Sequence, residues 1–228
     1  MKAFINQRFL KQTRFDSAAP SGSAVVAYEL QKGGSYEIAV ARDDRLLARV
    51  PFGVVPGRET GDPSAARPHC APAPGLQGSL SVDLAKLAGA SAAPALPSLA
   101  SAGWVSFTSS QPLLDHHVLV RRVENGEAQD EFDSRRLDAR SVFGLTLIRP
   151  GRYSLANTID GAQAEIVVDY PKVGKTPYRP PEPLEVTVTD QGFGERSFRL
   201  SPAQGMVFRF RVEGRIQIEL VEPDDGRP

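Results

Sequence analysis

The stretch Ser141–Tyr170 constrains the fold more than any other part of the sequence. It contains three short runs in which apolar and polar residues alternate, separated by Pro150-Gly151 and by Asp160-Gly161. Alternation with a period of two indicates β-strands with one buried face, and both residue pairs favour tight turns. Tyr153 follows the Pro-Gly pair and suits a tyrosine corner, whose hydroxyl binds nearby backbone where the chain crosses between sheets.

The same alternation recurs along most of the chain. Ala24–Val50 predicts a meander of three strands, with turns at Gly33-Gly34 and Asp43-Asp44. His117–Val123 predicts a strand that ends in a hairpin at Asn125-Gly126, followed by a charged loop or edge over Asp130–Arg140. Further predicted strands are Trp104–Phe107 and the strands of Leu184–Val221, with a last hairpin at Glu213-Gly214.

Two of these stretches align with each other. Leu30, Gly34, Tyr36 and Ile38 match Leu147, Gly151, Tyr153 and Leu155 at one constant offset, and a looser third copy is Leu200, Gly205 and Val207. The irregular spacing between copies favours a recurring sandwich element over a solenoid. The alternative is that strand, glycine, aromatic residue and strand recur by chance in an all-β chain.

Composition narrows the classes of partner. The chain has 228 residues with 27 basic and 27 acidic side chains, so no basic excess suggests nucleic acid or an anionic membrane. Cys70 is the single cysteine, which leaves no internal disulfide. No apolar run is long enough for a membrane helix, and the first residues lack the apolar core of a secretory signal, so we expect a cytoplasmic protein.

Two segments interrupt the strand pattern. Residues 53–103 are rich in Ala and Pro, and they predict a long loop with one short helix at Val82–Ala88, capped by Ser81 and ended by Gly89. The second segment, 171–183, is a Pro-rich spacer. We therefore predict a β-sandwich over residues 1–172 with an insertion at 53–103. Residues 173–228 then form a linker and a C-terminal β-unit that packs on the rest.

The N-terminal segment is both apolar and basic. Lys2, Arg8, Lys11 and Arg14 interleave with its apolar residues, and no acid precedes Asp16. One interpretation is an ordinary first strand or helix that covers the core; the other is an arm that docks on a partner subunit. The candidate partner-binding residues are Phe4, Ile5, Phe9, Leu10 and Phe15.

Two parts of the chain resemble the halves of a cupredoxin-like sandwich, with features shared by immunoglobulin-like sandwiches. Glu185–Phe210 is similar to the opening half, and Leu145–Val168 with its Pro-Gly-x-Tyr corner to the closing half, in reversed order. The resemblance implies an antiparallel β-sandwich. The family's copper site would need Cys and His side chains, but Ala156 and Asn157 follow the corner here, and the opening half offers Arg215 and Gln217. The copper site therefore does not carry over.

The sequence contains few residues that could bind a metal or catalyse a reaction. His116 and His117 are the remaining candidate metal ligands, yet neighbours on a strand point to opposite faces, so we predict no metal or cofactor. The sequence contains no nucleophile elbow and no Gly-rich phosphate loop before a helix, so we predict that the protein is not an enzyme.

These patterns favour a non-catalytic structural or accessory subunit. It would bind other protein subunits through the N-terminal arm, the Ala/Pro-rich loop and exposed strand edges. One alternative is a cupredoxin-related protein that handles metal or transfers electrons. A second is a carbohydrate-binding sandwich module with Trp104, Tyr178 or Phe193 as stacking platforms.

Overall fold

A computed structural model describes residues 11–43, 45–56, 77–90, 94–111, 115–170 and 178–224. Within these ranges the regular secondary structure is almost entirely β-strand, with one short helix. The strands are β1 (Arg14–Asp16), β2 (Ala24–Leu30), β3 (Gly34–Arg42), β4 (Arg45–Val55), β5 (Gln77–Asp83), β6 (Leu99–Thr108), β7 (His116–Glu124), β8 (Glu127–Asp133), β9 (Ser141–Thr146), β10 (Gly151–Asn157), β11 (Gln163–Val168), β12 (Leu184–Val188), β13 (Ser197–Leu200), β14 (Gly205–Phe210) and β15 (Ile216–Pro223). The helix is α1 (Leu84–Ala88).

The strands form two sheets, and the predicted all-β fold is confirmed. One sheet has the order β1-β15-β10-β11-β13. The other runs β12-β14-β9-β2-β6-β4-β3-β7-β8, with β5 also paired to β6. Both sheets are mixed, because each contains parallel pairs: β11–β13 in the smaller sheet, and β12–β14, β5–β6 and the short β4–β6 contact in the larger one. The antiparallel pairing that the sequence predicts therefore does not hold throughout.

The larger sheet curls, so the molecule is sandwich-like. Six of its strands form one layer, which we call the shared layer because both halves of the sequence contribute to it: β5, β6, β2, β9, β14 and β12. Strand β4 joins this layer only through Val54 and Val55. Tyr28 of the shared layer contacts Phe132 of β8, with ring centroids 4.8 Å apart. The alternate residues of each strand that face inward are buried in one continuous apolar cluster.

The strands repeat around an approximate two-fold axis. β2 and β9 are antiparallel neighbours, and Val26 faces Phe143. The residue numbers of this pair differ by the same amount as those of Tyr36 and Tyr153. We call β2–β8 unit I and β9–β15 unit II. The pairings correspond: β6 on β2 matches β14 on β9, parallel β5 on β6 matches parallel β12 on β14, and β7 on β3 matches β15 on β10.

Both units contain the same corner. The Tyr153 hydroxyl donates to the carbonyl of Arg149 at 2.7 Å, and the Tyr36 hydroxyl donates to the carbonyl of Lys32 at 2.9 Å. In each case the glycine two residues earlier has an unusual φ, 142° at Gly151 and 146° at Gly34, which a side chain disfavours. The predicted tyrosine corner is therefore present, and it occurs twice.

Strand β1 belongs structurally to unit II, although it is the first of the described strands along the sequence. Phe15 pairs with Ile218 of β15, just as Phe132 of β8 pairs with Val120 of β7. In unit I the edge strand follows β7 through a hairpin, whereas in unit II it comes from the other end of the sequence. The Asp16 carboxylate accepts from Arg215 at 2.7 and 3.1 Å, and this charged contact holds β1 in place.

Several predicted connections are wrong. β2 does not pair with β3, because β6 and β4 lie between them, so the predicted meander keeps only its β3–β4 hairpin. Glu213-Gly214 is not a hairpin, since β14 and β15 lie in different sheets. The hairpins at Asn125-Gly126 and at Asp160-Gly161 are confirmed.

The Ala/Pro-rich stretch is partly structured. Residues 57–76 and 91–93 lie outside the described residues, but the rest supplies the end of β4, β5, α1 and the first half of β6. The helix begins at Leu84 with Asp83 as its N-cap, not Ser81, and ends at Gly89 as predicted. The charged stretch after Asn125-Gly126 is edge strand β8 as far as Asp133. None of the described helices could span a membrane.

Candidate binding surface

A cleft of about 510 Å³ lies along the open side of unit II, between the edge strands β12 and β13 of the two sheets. Phe193 and Phe198, both largely buried, contribute its apolar floor together with Leu184 and Val186. The Phe193 ring meets the Phe208 ring edge to face at 6.3 Å, which anchors this floor to the core.

Both strands beside the cleft have outward-facing backbone groups. Val188 of β12 accepts a hydrogen bond from Arg211, so its backbone groups point towards β14. Because neighbouring residues of a strand direct their backbone groups to opposite sides, those of Glu185 and Thr187 point away from the sheet. Leu200 of β13 likewise accepts from Asp169, so Arg199 faces outward. In the described ranges no strand pairs with either outer side.

The open edge of β12 is short. Pro183 precedes it and has no N–H to offer, and Thr189 after it exchanges two backbone hydrogen bonds with Gly192. These features limit uncontrolled pairing with other sheets. A partner strand can therefore pair with β12 over only a few residues.

The charges around the cleft are mostly compensated. Glu185 accepts from Arg209 at 3.3 Å, and Arg199 forms a bidentate pair with Asp169 at 2.6 and 2.9 Å. That pair raises the pKa of the exposed Arg199 guanidinium. Glu195 also lines the cleft, is exposed, and makes no hydrogen bond or ion pair among the described residues. The lining therefore carries one uncompensated negative charge.

Unit I closes the corresponding position. The segment after β5 forms α1, which packs against β3, β4 and β5 and buries Leu84 and Leu87. In unit II the corresponding segment after β12 instead forms a turn and β13. Two related units thus differ at this point: leucines fill one gap, and the other remains a cleft.

The predicted partner-binding residues divide into two groups. Phe4, Ile5, Phe9 and Leu10 lie outside the described residues. Phe15 is only 5% exposed and belongs to the core of unit II. Its aromatic ring therefore lies in the interior of the sandwich.

The candidate metal ligands are separated by the strand geometry. His117 is buried on β7, and its neighbour His116 is half-buried and precedes it on the same strand. Burial is the main reason that the pKa of His117 is lowered, and the nearby positive charge of Arg135 is the second. Among the described residues no three His, Cys, Asp or Glu side chains cluster as a metal site would require.

The side chains that the sequence offers in place of copper ligands belong to a hydrogen-bond network. Asn157 accepts hydrogen bonds from the backbone of Ile159 and Arg215. Gln217 and Arg215 both donate to Asp16. The side-chain hydrogen bond from Arg215 to Asp16 is also the main reason that the pKa of Arg215 is raised. These side chains tie β1 to unit II.

The proposed sugar platforms do not share one surface feature. Phe193 is largely buried in the cleft floor, and Tyr178, although exposed, donates its hydroxyl to the carbonyl of Pro202. Trp104 is half-buried on β6 in unit I, cross-strand from Glu29.

The tyrosines of the core are not activated groups. Burial raises the pKa of Tyr36 and of Tyr153 to about 12 and raises that of Tyr28 further. The Arg140 guanidinium lies 4.9 Å from the centre of the Tyr28 ring, and the Tyr28 hydroxyl donates to the carbonyl of Glu131. These contacts fix β2 against β8.

In comparisons with family models, with curated proteins and with solved structures, the chain matched none. The sequence predicted binding through strand edges in general and did not predict the cleft. Its aromatic residues, Phe193 and Phe198, stand close together in the sequence, but the edge position of β12 beside them does not follow from any local pattern.

Proposed function

We propose that this protein is a non-catalytic structural or accessory subunit that binds other protein subunits through an open edge of its β-sandwich. The observation that carries the proposal is the cleft between β12 and β13, where an apolar floor lies beside unpaired strand edges. Exposed edges and apolar grooves are the surfaces through which β-proteins commonly bind peptide segments.

We further propose that each unit is a rearranged cupredoxin-like sandwich. Two pairings support this: the start of β14 with the end of β9, and parallel β13 with β11. They join the segment that resembles an opening half to the one that resembles a closing half, despite their reversed order. The side chains that stand where a copper site would lie, Asn157 and Arg215, are engaged in a structural network.

The charge balance supports a protein partner. Equal numbers of acidic and basic residues give no overall attraction to a polyanion. The cleft offers apolar surface and backbone groups, which suit an extended peptide better than a phosphate backbone.

The native mass of the particle that contains the chain tests the proposal. Light scattering after gentle size-exclusion chromatography of the tagged full-length chain from its own cells should give a mass well above the 24.6 kDa of one chain. A monomer at every step of the purification would contradict the proposal.

A further inference from the structure

We propose that the cleft between β12 and β13 binds residues 1–10 of a second copy of this chain as an added β-strand. The inference rests on the proposed function, because it names the partner of the same cleft. Its three supports are the backbone of β12, the apolar floor and the charge of the lining.

The backbone of β12 can accept one more strand. Glu185 and Thr187 each present an outward N–H and C=O, so a partner strand can form up to about four hydrogen bonds. Such pairing recognises the main chain, while pockets for alternate side chains provide specificity. The apolar floor supplies those pockets.

The N-terminal segment has a matching pattern. It contains two apolar doublets, Phe4-Ile5 and Phe9-Leu10. Since successive side chains of a strand point to opposite faces, each doublet directs one apolar side chain towards the floor in either register. Phe193 and Phe198 are the aromatic surfaces they would meet.

Charge points the same way. The segment contains Lys2 and Arg8 and no acidic residue, whereas the cleft lining has the unpaired carboxylate of Glu195. An exposed pair of this kind contributes modestly to affinity and more to the choice of partner.

A second copy fits better than the same molecule. β1 and β13 are the opposite edges of one five-stranded sheet, so four strand spacings separate them, about 19 Å. About six extended residues before β1 would be needed to cross that distance, so Phe9 and Leu10 could not reach the cleft of their own chain. An arm from another copy crosses no sheet, so both apolar doublets can lie in the cleft.

Sedimentation of the full chain tests the proposal with two kinds of variant. Thr187→Pro removes the outward N–H of β12 without removing a bond to β14, and Thr187→Val is its matched control because it keeps the N–H. Phe4→Ser with Phe9→Ser alters the arm. We expect self-association to weaken at least tenfold in the proline variant and in the arm variant, and to stay within twofold in the valine control.

Glu195→Lys provides a second cleft variant that leaves the edge backbone intact. We expect it to weaken association about two- to fivefold, with Glu127→Lys on the edge of unit I as an ineffective control. An unchanged association constant in both Thr187→Pro and Glu195→Lys would overturn the proposal.

A mixing experiment identifies the source of the arm. The arm variant has an intact cleft and the proline variant an intact arm, so their mixture should form heterodimers more tightly than either variant associates alone. If the arm docked within its own chain, mixing would not change the mass and the inference would be wrong. A large native particle that the arm and cleft variants leave intact would also overturn it, while the proposed accessory role would stand.

Discussion

Replacing Phe15 by alanine tests whether β1 is an integral part of unit II. The side chain is 5% exposed, and its counterpart Phe132 in unit I is 4% exposed. Truncating a buried phenylalanine usually costs about 3–5 kcal/mol of unfolding free energy, from lost burial and from the cavity that remains. If β1 and β8 are equivalent, both substitutions should fall in this range.

The short length of β1 sets an upper limit on the loss at Phe15. A three-residue strand can detach from the sheet while the rest of the protein stays folded. The substitution then lowers the free energy of unfolding by no more than the whole strand contributes to it. The paired hydrogen bonds between Asp16 and Arg215 oppose detachment. We therefore expect about 3 kcal/mol for Phe15→Ala, at or slightly below the value for Phe132→Ala.

Urea unfolding followed by far-UV circular dichroism measures both values. Val221→Ala is the control, because that side chain is 63% exposed and should change stability by less than about 0.5 kcal/mol. The assignment of β1 to the core would be refuted if Phe15→Ala lowered the unfolding free energy by less than about 1 kcal/mol while Phe132→Ala lowered it by about 3–5 kcal/mol. The residue would then be available to a partner, as the sequence alone allows.

Two further predictions concern single buried groups. Tyr36→Phe and Tyr153→Phe each remove one hydrogen bond from an equivalent corner, so chemical denaturation should show losses of about 1 kcal/mol that agree within about 0.5 kcal/mol; clearly unequal losses would argue against equivalent corners. Burial lowers the pKa of His117, so the unfolded chain binds the proton more readily and stability should fall as the pH drops through about 6.5. His117→Gln should flatten that part of a stability curve measured against pH, and an unchanged slope would show that His117 does not cause it.

Local features of the fold were predictable from the sequence, because neighbouring residues determine them. The Tyr153 corner and the Asn125-Gly126 hairpin each depend on a few consecutive residues, and both occur as predicted. The helix start was misplaced by a few residues because Ser81 and Asp83 are both competent caps, and Asp83 is the one whose carboxylate accepts from Ala85.

Pairings between distant strands were not predictable. Gly33-Gly34 can serve a hairpin or a crossing between strands, and only the position of β6 beside β2 decides which. The edge position of β12, and hence the cleft, follows from parallel pairing with β14 across an intervening strand. No local pattern contains that information, so the sequence predicted open edges in general but not this one.

A circular permutant tests the arrangement of the whole chain. Unit I connects β7 to its edge strand β8 by a hairpin at Asn125-Gly126, whereas unit II pairs β15 with β1 from the opposite end of the sequence. Arg14 lies opposite Glu219, so both ends of the described chain lie at the same end of one sheet.

The permutant is opened between Asn125 and Gly126, and its original ends are joined through a flexible linker. In the permutant β15 and β1 are joined as a hairpin in unit II, while β7 and β8 of unit I come from opposite ends of the sequence. We expect the permutant to keep the far-UV spectrum and to unfold within about 2 kcal/mol of the native chain, since every strand keeps its neighbours. A permutant without β-structure, beside a control with the linker inserted at the intact hairpin that folds normally, would show that the two units are not interchangeable.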